Sequence, residues 1–511
     1  MSETQEVQTT KILIDGVEHD APLGGRLIDF LQDIGKIIPH FCYHPGLPVD
    51  ASCRQCQVES KGKSSKPGLI VSCRETIVEG MDILTQSKPV EEARAGVMEF
   101  LLKNHPLDCP ICDKAGECTL QDNAYETGQD HGRSHEDRHH FPKRKDLGEK
   151  ILLDNERCIL CRRCIRFFDH VTGESQLKVS DRGERSILET FFDEPLHGNY
   201  QGNIVDLCPV GALTLKHFRF KSRPWFLHPT HTICGSCSRG CNTVVEVRDG
   251  KILRIRPRYN EDVNGYWMCD EGRLDFDIYN QGVEEGRLEE AMVLGPDGQL
   301  HRAKMQDAID KLAEALVTDS GKVILLLSPW ATQEEGEAFH RLVSTLDPKN
   351  VLAGFYQPTQ SGKGDDLLRT DEDAPNCRGL RETGLEAIDE GRLATTLEDN
   401  LGSSTVFLTG FGLDELLPDT IKLRIKGAGQ LLFHGFRLAH FPFSKIAMPA
   451  MSPMEKNGYW INQEGRKQYL RPALQAPGTI LEDVALYAAL YAALDARLNS
   501  QKDLAGEGAQ A

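Results

Sequence analysis

The sequence contains no uninterrupted apolar run of about 18 residues, the length a membrane-crossing helix needs. The longest run near the C-terminus, Val484 to Leu494, is broken by Tyr487 and Tyr491, so no direct span is expected. A basic surplus is missing too. The net charge of −18 argues against nucleic acid as a partner, because phosphate binding needs a positive face. Met1 to Thr10 is polar and has no apolar segment of the kind a secretory leader carries. No dinucleotide fingerprint is present: Gly410-Phe411-Gly412 is a lone glycine pair after a strand pattern, and a loop is its better reading. No residue is expected to act as acid, base or nucleophile, so no catalytic residue is assigned.

What is present is cysteine. Fifteen of the 16 cysteines and one histidine form four sets of four within the first 270 residues. They are Cys42, Cys53, Cys56, Cys73; His105, Cys109, Cys112, Cys118; Cys158, Cys161, Cys164, Cys208; and Cys234, Cys237, Cys241, Cys269. Cys377 is left over and reads as a bystander thiol. A Cys-rich chain with no leader is expected to bind metal rather than form disulfides. Thiolate quartets hold iron–sulfur clusters, but soft thiolates also suit zinc, so ligand type alone leaves both open.

A chain of 511 residues is too long for one core and implies several domains. Residues 11–85 read as a small β-rich domain. Lys11–Ile14 alternates, Asp15-Gly16 is a hairpin turn, and Val17 resumes the strand. Leu27, Phe30, Leu31 and Ile34 share a helical face that Gly35 closes. Strands at 56–59 and 69–72, joined by a polar turn at 60–68, complete the order of a β-grasp ferredoxin. Ser87 to Asn104 reads as a helix capped by Ser87, with Val90, Ala93, Val97, Phe100 and Leu101 as its packed stripe. Pro106 disfavours helical geometry at His105, which places that imidazole in a loop.

Residues 126–149 read as a solvated linker, with His131, His135, His139 and His140 as linker residues. Compact Cys modules follow at 150–220 and 225–281, the second with strands at 244–247 and 252–255 around Asp249-Gly250. Beyond 285, apolar runs at Val323–Leu327, Thr405–Thr409 and Leu431–His434 lie among helical patterns at 306–317 and 334–346. This predicts an α/β layer with parallel strands.

The first set, Cys42-x10-Cys53-x2-Cys56-x16-Cys73, keeps the ligand order of plant-type 2Fe–2S proteins with a longer first gap. The second, His105-x3-Cys109-x2-Cys112-x5-Cys118, offers three thiolates and one imidazole, and a zinc site of that composition is its alternative. In the third, Cys158-x2-Cys161-x2-Cys164 is the bacterial ferredoxin triplet. Phe168, then Asp169, stands where the next thiolate usually lies, and Cys208-Pro209 is the natural substitute, giving one 4Fe–4S cluster. Arg157, Arg162, Arg163 and Arg166 crowd this loop, either as surface charge or as an offset to a negative cluster. The fourth set, Cys234-x2-Cys237-x3-Cys241 with Cys269, suits a cluster or zinc.

F-C-Y-H-P-G-L at 41–47, C-R-Q-C at 53–56, H-P-L-D-C-P-I-C-D-K-A-G-E-C at 105–118, C-I-L-C-R-R-C at 158–164 and D-L-C-P-V-G-A-L at 206–213 closely resemble one family. It is the G subunit of bacterial NADH:quinone oxidoreductase, the 75-kDa subunit of respiratory complex I. The resemblance implies one 2Fe–2S cluster on the first set, a His-ligated 4Fe–4S cluster on the second and a Cys-ligated 4Fe–4S cluster on the third. The fourth set is similar to an additional 4Fe–4S site of some bacterial members. It implies a subunit that relays single electrons from a flavin-bearing, NADH-oxidising partner towards ferredoxin-like and quinone-site subunits. Its place would be peripheral, on the cytoplasmic side of the cell membrane.

The fourth module also resembles the cluster domain of molybdopterin oxidoreductases, with Glu271 where a lysine is common. E-K-N-G-Y-W-I-N-Q-E-G-R at 455–466 is similar to a late segment of that family. Too little chain follows Cys269 for a full molybdenum domain, so no molybdopterin is expected. The expected fold class is multidomain α+β. Its parts are a 2Fe–2S β-grasp domain (1–86), a 4Fe–4S domain with one histidine and three cysteine ligands (87–149), a ferredoxin-like 4Fe–4S domain (150–222), a molybdopterin-type 4Fe–4S domain (223–285) and a shortened α/β domain (286–511). The alternatives are an electron relay of an NAD-linked hydrogenase or formate dehydrogenase, and a non-redox zinc scaffold.

Overall fold

The computed structural model describes residues 8–62, 66–318 and 321–508. Residues 1–7, most of the segment behind the leader argument, and 63–65 of the polar turn lie outside these. The chain divides into two compact units, 1–227 and 228–511. Among the described residues no helix is long and apolar enough to cross a membrane.

In the first unit, β1 (Thr9–Ile14) and β2 (Val17–Pro22) form the predicted hairpin, turning at Asp15 and Gly16 with φ of 51° and 83°. Such left-handed angles are what a tight hairpin turn requires. Helix α1 (Leu27–Asp33) buries Leu27, Ile28, Phe30 and Leu31. With β3 (Gln57–Ser60), β4 (Gly68–Val71) and β5 (Asp82–Leu84) the sheet order is β2-β1-β5-β3-β4, and β1 runs parallel to β5.

Helix α2 (Lys88–Asn104) ends where Pro106 predicts, with His105 extended at ψ 128°. Two details differ from the pattern. Ser87 occupies the N-cap position but its hydroxyl makes no cap bond. The buried face is Val90, Arg94 and Met98, and Phe100 is 80% exposed. Arg94 can lie inside because its Nε and Nη2 donate to the Gln57 carbonyl at 3.2 and 2.8 Å. Helix α3 (Thr119–Thr127) follows the second set. The third set is carried by α4 (Arg163–Phe167) and α5 (Asn203–Leu207), beside a sheet of strands Lys145–Asp146, Ile151–Leu153 and Leu213–Leu215.

The second unit opens with an antiparallel sheet of His228–Ile233, Asn242–Arg248 and Lys251–Pro257. Its first strand escapes the hydrophobic pattern because only Thr232 and Ile233, at its end, are buried. Then comes an eight-stranded sheet. Six parallel strands lie in the order Ile446–Pro449, Gln430–Gly435, Thr405–Thr409, Val323–Leu327, Val351–Tyr356 and Glu386–Ile388. An antiparallel hairpin, Met292–Leu294 with Leu300–Arg302, completes one edge. The predicted helices lie at Met305–Thr318 and Gln333–Val343.

Strand order reverses between Val323–Leu327 and Thr405–Thr409, the place where such sheets offer a crevice beyond their carboxyl ends. Trp330 and Phe411 follow those two strands, their rings 6.2 Å apart. Deeper in, Lys456 Nζ meets Glu335 at 3.0 Å and Asp483 at 2.7 Å, all three buried. Thr409 Oγ1 bonds both His434 Nδ1 and the Tyr487 hydroxyl at 2.8 Å.

Candidate metal centres

The third set has the clearest geometry. Cys158 to Cys164 wrap the start of α4, and Cys208 is the C-cap of α5, so a helix start and a helix end deliver the four sulfurs. All four cysteines line one apolar cavity. Leu160 and Arg162 adopt left-handed backbone, φ 52° and 59°, a conformation that costs a non-glycine residue about 1 kcal/mol or more. The tight turns let Leu160 N donate to Cys158 Sγ at 3.4 Å. Burial pushes the Cys158 and Cys164 thiols well up and Cys161 to about 11, and neighbouring cysteines add to this. These sulfurs become thiolates only beside compensating positive charge, which metal supplies. Four soft donors facing unfilled space fit an iron–sulfur cluster. Phe168, at the position a thiolate usually takes, is buried.

The first set brings its sulfurs into mutual contact. Cys42 bonds the Cys53 and Cys73 thiols, and Cys56 bonds Cys73. Those contacts lower the Cys42 and Cys56 pKa and raise those of Cys53 and Cys73. Cys42 N also donates to Cys53 Sγ at 3.4 Å.

In the second set, Cys109 opens a short 3-10 turn and is exposed, while Cys112 and the α3 N-cap Cys118 are buried. Burial pushes the Cys118 thiol up to about 11. His105 is pushed down to about 4, first by burial and then by Arg157, so it is a neutral imidazole, the metal-binding form. Its other charged neighbours are Asp108, Arg138 and Lys143. Its grouping with the three thiols rests on chain spacing.

The third set touches both others, and arginines make the first junction. Arg166 Nη2 donates to the Cys42 carbonyl and, at 3.4 Å, to that of Cys161; its Nη1 reaches the Pro48 carbonyl. Arg163 reaches the Tyr43 carbonyl and donates to Leu207 O at 3.2 Å. Arg157 pairs with Asp108 at 2.8 Å. These three are buried; Arg162 is half exposed and pairs with Asp50 at 3.3 Å. On the other side, a Cβ on Gly211 would stand 2.2 Å from Cys112 Sγ, so no side chain fits there. Thr119 N donates to Pro209 O at 3.0 Å, and Arg223 Nη1 to Cys112 O at 2.6 Å.

The fourth set is held by its own unit. Burial raises Cys234, Cys241 and Cys269, with neighbouring thiols as the next cause. Cys269 caps α6 (Asp270–Leu274), its Sγ accepting from Gly272 N at 3.4 Å. A Cβ on Gly272 would lie 2.7 Å from Cys234 Sγ. Trp330 Nε1 donates to Gly235 O at 2.8 Å, and Gln468 Nε2 to Gly240 O at 2.8 Å. Ser238 N donates to Glu372 O at 3.0 Å and Gln463 N to Ser238 O at 3.0 Å. Of these clamping residues only Gln463, in the 455–466 segment, is marked by sequence pattern.

The linker histidines do not assemble: His131 faces Asp130, His139 faces Glu184 and His140 faces Glu156. Among the described residues no three His, Cys, Asp or Glu converge as a single ion would require. A cluster makes a different demand, because each thiolate addresses a different corner. Cys377 is buried in the α/β core.

Four family models match in series. They are described as a 2Fe-2S iron-sulfur cluster binding domain (residues 7–88), the NADH-ubiquinone oxidoreductase-G iron-sulfur binding region (94–133), the ferredoxin-like domain of NADH-quinone oxidoreductase subunit 3 (148–214) and the 4Fe-4S domain of NADH-ubiquinone oxidoreductase NDSU1/NuoG-like proteins (233–277). The NADH-quinone oxidoreductase G subunit of Streptomyces coelicolor is 34% identical over 98% of this chain and 56% of its own length. Over the residues these comparisons match, the chain is similar to NADH-quinone oxidoreductase G subunits.

The G subunit of Rickettsia bellii is 39% identical over 60% of this chain and 44% of its own. The mitochondrial iron-sulfur protein 1 of NADH dehydrogenase from Solanum tuberosum is 39% identical over 60% and 40%. The chain thus spans about half the length of the curated relatives it matches. A solved NAD+-reducing [NiFe]-hydrogenase chain aligns at 28% identity over 42% of this chain and 90% of that one, with a TM-score of 0.35. By its own elements the chain is mixed α and β, and the family models give it a 2Fe–2S ferredoxin domain and ferredoxin-like 4Fe–4S domains.

Proposed function

We propose that this G-subunit relative is the electron relay of an NADH:quinone oxidoreductase. One 2Fe–2S cluster would sit on Cys42, Cys53, Cys56 and Cys73. Three 4Fe–4S clusters would sit on His105, Cys109, Cys112 and Cys118; on Cys158, Cys161, Cys164 and Cys208; and on Cys234, Cys237, Cys241 and Cys269. The five-part domain division given above, from the β-grasp domain to the shortened molybdopterin-type domain, goes with that assignment. Bound there, iron–sulfur clusters supply one-electron transfer, between a flavin-bearing NADH-oxidising partner and the quinone side of a membrane-bound complex.

The observation that carries this reading is the cavity onto which all four third-set cysteines open. The protein's own task is positional. Cysteines fix the sulfurs, buried side chains exclude water, and Arg163, Arg166 and Gly211 set how closely the loops approach. The third loop contacts both the first and the second, which supports the relay order first, third, second rather than chain order. The protein sits at the cytoplasmic face, attached through its partners.

Iron and acid-labile sulfide analysis, with EPR of the anaerobically reduced protein, tests this. Brown protein with one 2Fe–2S and up to three 4Fe–4S signals is expected, and Cys208→Ser should remove one 4Fe–4S signal and lower quinone reduction. Colourless protein holding only zinc would overturn it, as would co-purification with hydrogenase or formate dehydrogenase activity instead of quinone reduction.

A further inference from the structure

The loop at 361–373 leaves the parallel sheet and lies over the fourth cysteine loop. It is internally laced: Asp365 Oδ1 accepts from Leu367, Leu368 and Arg369 amides at 2.9, 2.8 and 3.1 Å, and Asp371 Oδ1 accepts from Gly364 N at 2.8 Å. It is also pinned to the cysteine loop. Arg239 Nε donates to Leu368 O at 3.2 Å, and the Ser238 and Thr370 hydroxyls bond at 2.9 Å. Residues 238 and 239 lie between Cys237 and Cys241, so the two loops are bonded directly to each other.

This lacing carries Arg369 inward. Its side chain is 2% exposed. Its Nε donates to Glu271 Oε2 at 2.8 Å, its Nη1 to Thr370 O at 2.9 Å, and its Nη2 to Asp373. Glu271 lies two residues past Cys269 on α6, beside Gly272, whose Cα faces Cys234 Sγ. Lys363 stands 3.7 Å from the other Glu271 oxygen. The guanidinium acts electrostatically on Cys234, Cys237 and Cys269. A buried cation is thus held by two carboxylates, Asp373 and the Glu271 that stands two residues past Cys269, on a loop bonded to the residues between Cys237 and Cys241.

We propose that Arg369 is a positioning residue that raises the reduction potential of the fourth-set cluster, and that Glu271 trims its charge. The inference rests on the reading of that set as a cluster site. Adding an electron to a cluster is favoured by nearby positive charge and opposed by negative charge, most strongly where water is excluded. Removing the guanidinium also leaves Glu271 and Asp373 less compensated, which acts in the same direction. Removing the Glu271 charge acts in the opposite one.

The test is an anaerobic redox titration of the full chain followed by EPR, with the fourth-set signal identified as the one lost in Cys269→Ser. Arg369→Gln should lower its midpoint by about tenfold in the one-electron reduction equilibrium, ~59 mV. Glu271→Gln, at a partly exposed position, should raise it, and Arg369→Lys should stay near the parent value. The signals of the other three sets should not move. Equal or same-direction shifts in Arg369→Gln and Glu271→Gln would overturn the proposal. If Arg369→Gln loses the cluster, Glu271→Gln decides alone: no upward shift refutes the electrostatic role. If Cys269→Ser removes no signal, the fourth-set assignment itself fails.

Discussion

In the N-terminal unit three sulfur-bearing loops brace one another, through arginines of one loop reaching the carbonyls of the next. In the C-terminal unit a single such loop is gripped by segments 95 to 228 residues further along the chain. The first arrangement makes the ligand sets interdependent: Arg166 touches backbone beside Cys42 and Cys161 alike. The second makes the fourth set depend on the α/β layer. Mutual bracing suits close, fixed spacing between centres, whereas external gripping suits a centre maintained by its own fold.

Damage confined to the α/β interior should separate the two. Lys456→Met leaves Glu335 and Asp483 buried without their cation, which costs about 3–5 kcal/mol. Thermal unfolding of the C-terminal unit should shift down and the fourth-set EPR signal weaken, while the other three persist. Equal loss of all four would erase the distinction.

The converse change is Arg166→Gln. It removes charged hydrogen bonds worth roughly 1.5–3 kcal/mol each and frees the Cys42 and Pro48 carbonyls. Allowing for partial replacement by the amide, a net loss of about 3 kcal/mol is expected. The first- and third-set EPR lineshapes should change together with the fourth untouched; a change in the third alone would argue against a shared brace.

The smallest effect concerns pH. Burial, with Asp483 adding and Lys456 opposing, raises the Glu335 carboxyl from 4.5 to about 7. A carboxyl whose folded pKa is raised favours the folded state when protonated, so this contribution is present below about 4.5 and is lost as pH rises through about 7. Glu335 Oε2 accepts from Thr332 N at 2.9 Å, a cap that Glu335→Gln can keep, and that change should flatten the pH dependence of C-terminal unfolding across that window; an unchanged profile would contradict it.

Sixteen candidate ligands were legible because metal chemistry restricts residue type and spacing together. Strands at 323–327 and 405–409 were legible because both faces are buried and the runs are continuously apolar. Three features were not legible, each for a physical reason. An arginine reads the same on a surface as inside, so the bracing by Arg163 and Arg166 could not be told from solvated charge. The buried face of α2 includes Arg94, which apolar periodicity skips. The clamp from Trp330, Arg369 and Gln468 joins residues far apart in sequence, and no local pattern encodes it. Glycine gave a partial cue: Gly211 sits in the C-P-V-G-A run, where the close approach of a sulfur leaves room for nothing larger.

At the mouth of the parallel sheet, proteins of this architecture usually keep a berth for a small molecule. Here the indole of Trp330 stands edge-on to Phe411 and donates its ring hydrogen to the main chain of Gly235. The berth has become a plinth, and what it seats is another stretch of the same polypeptide.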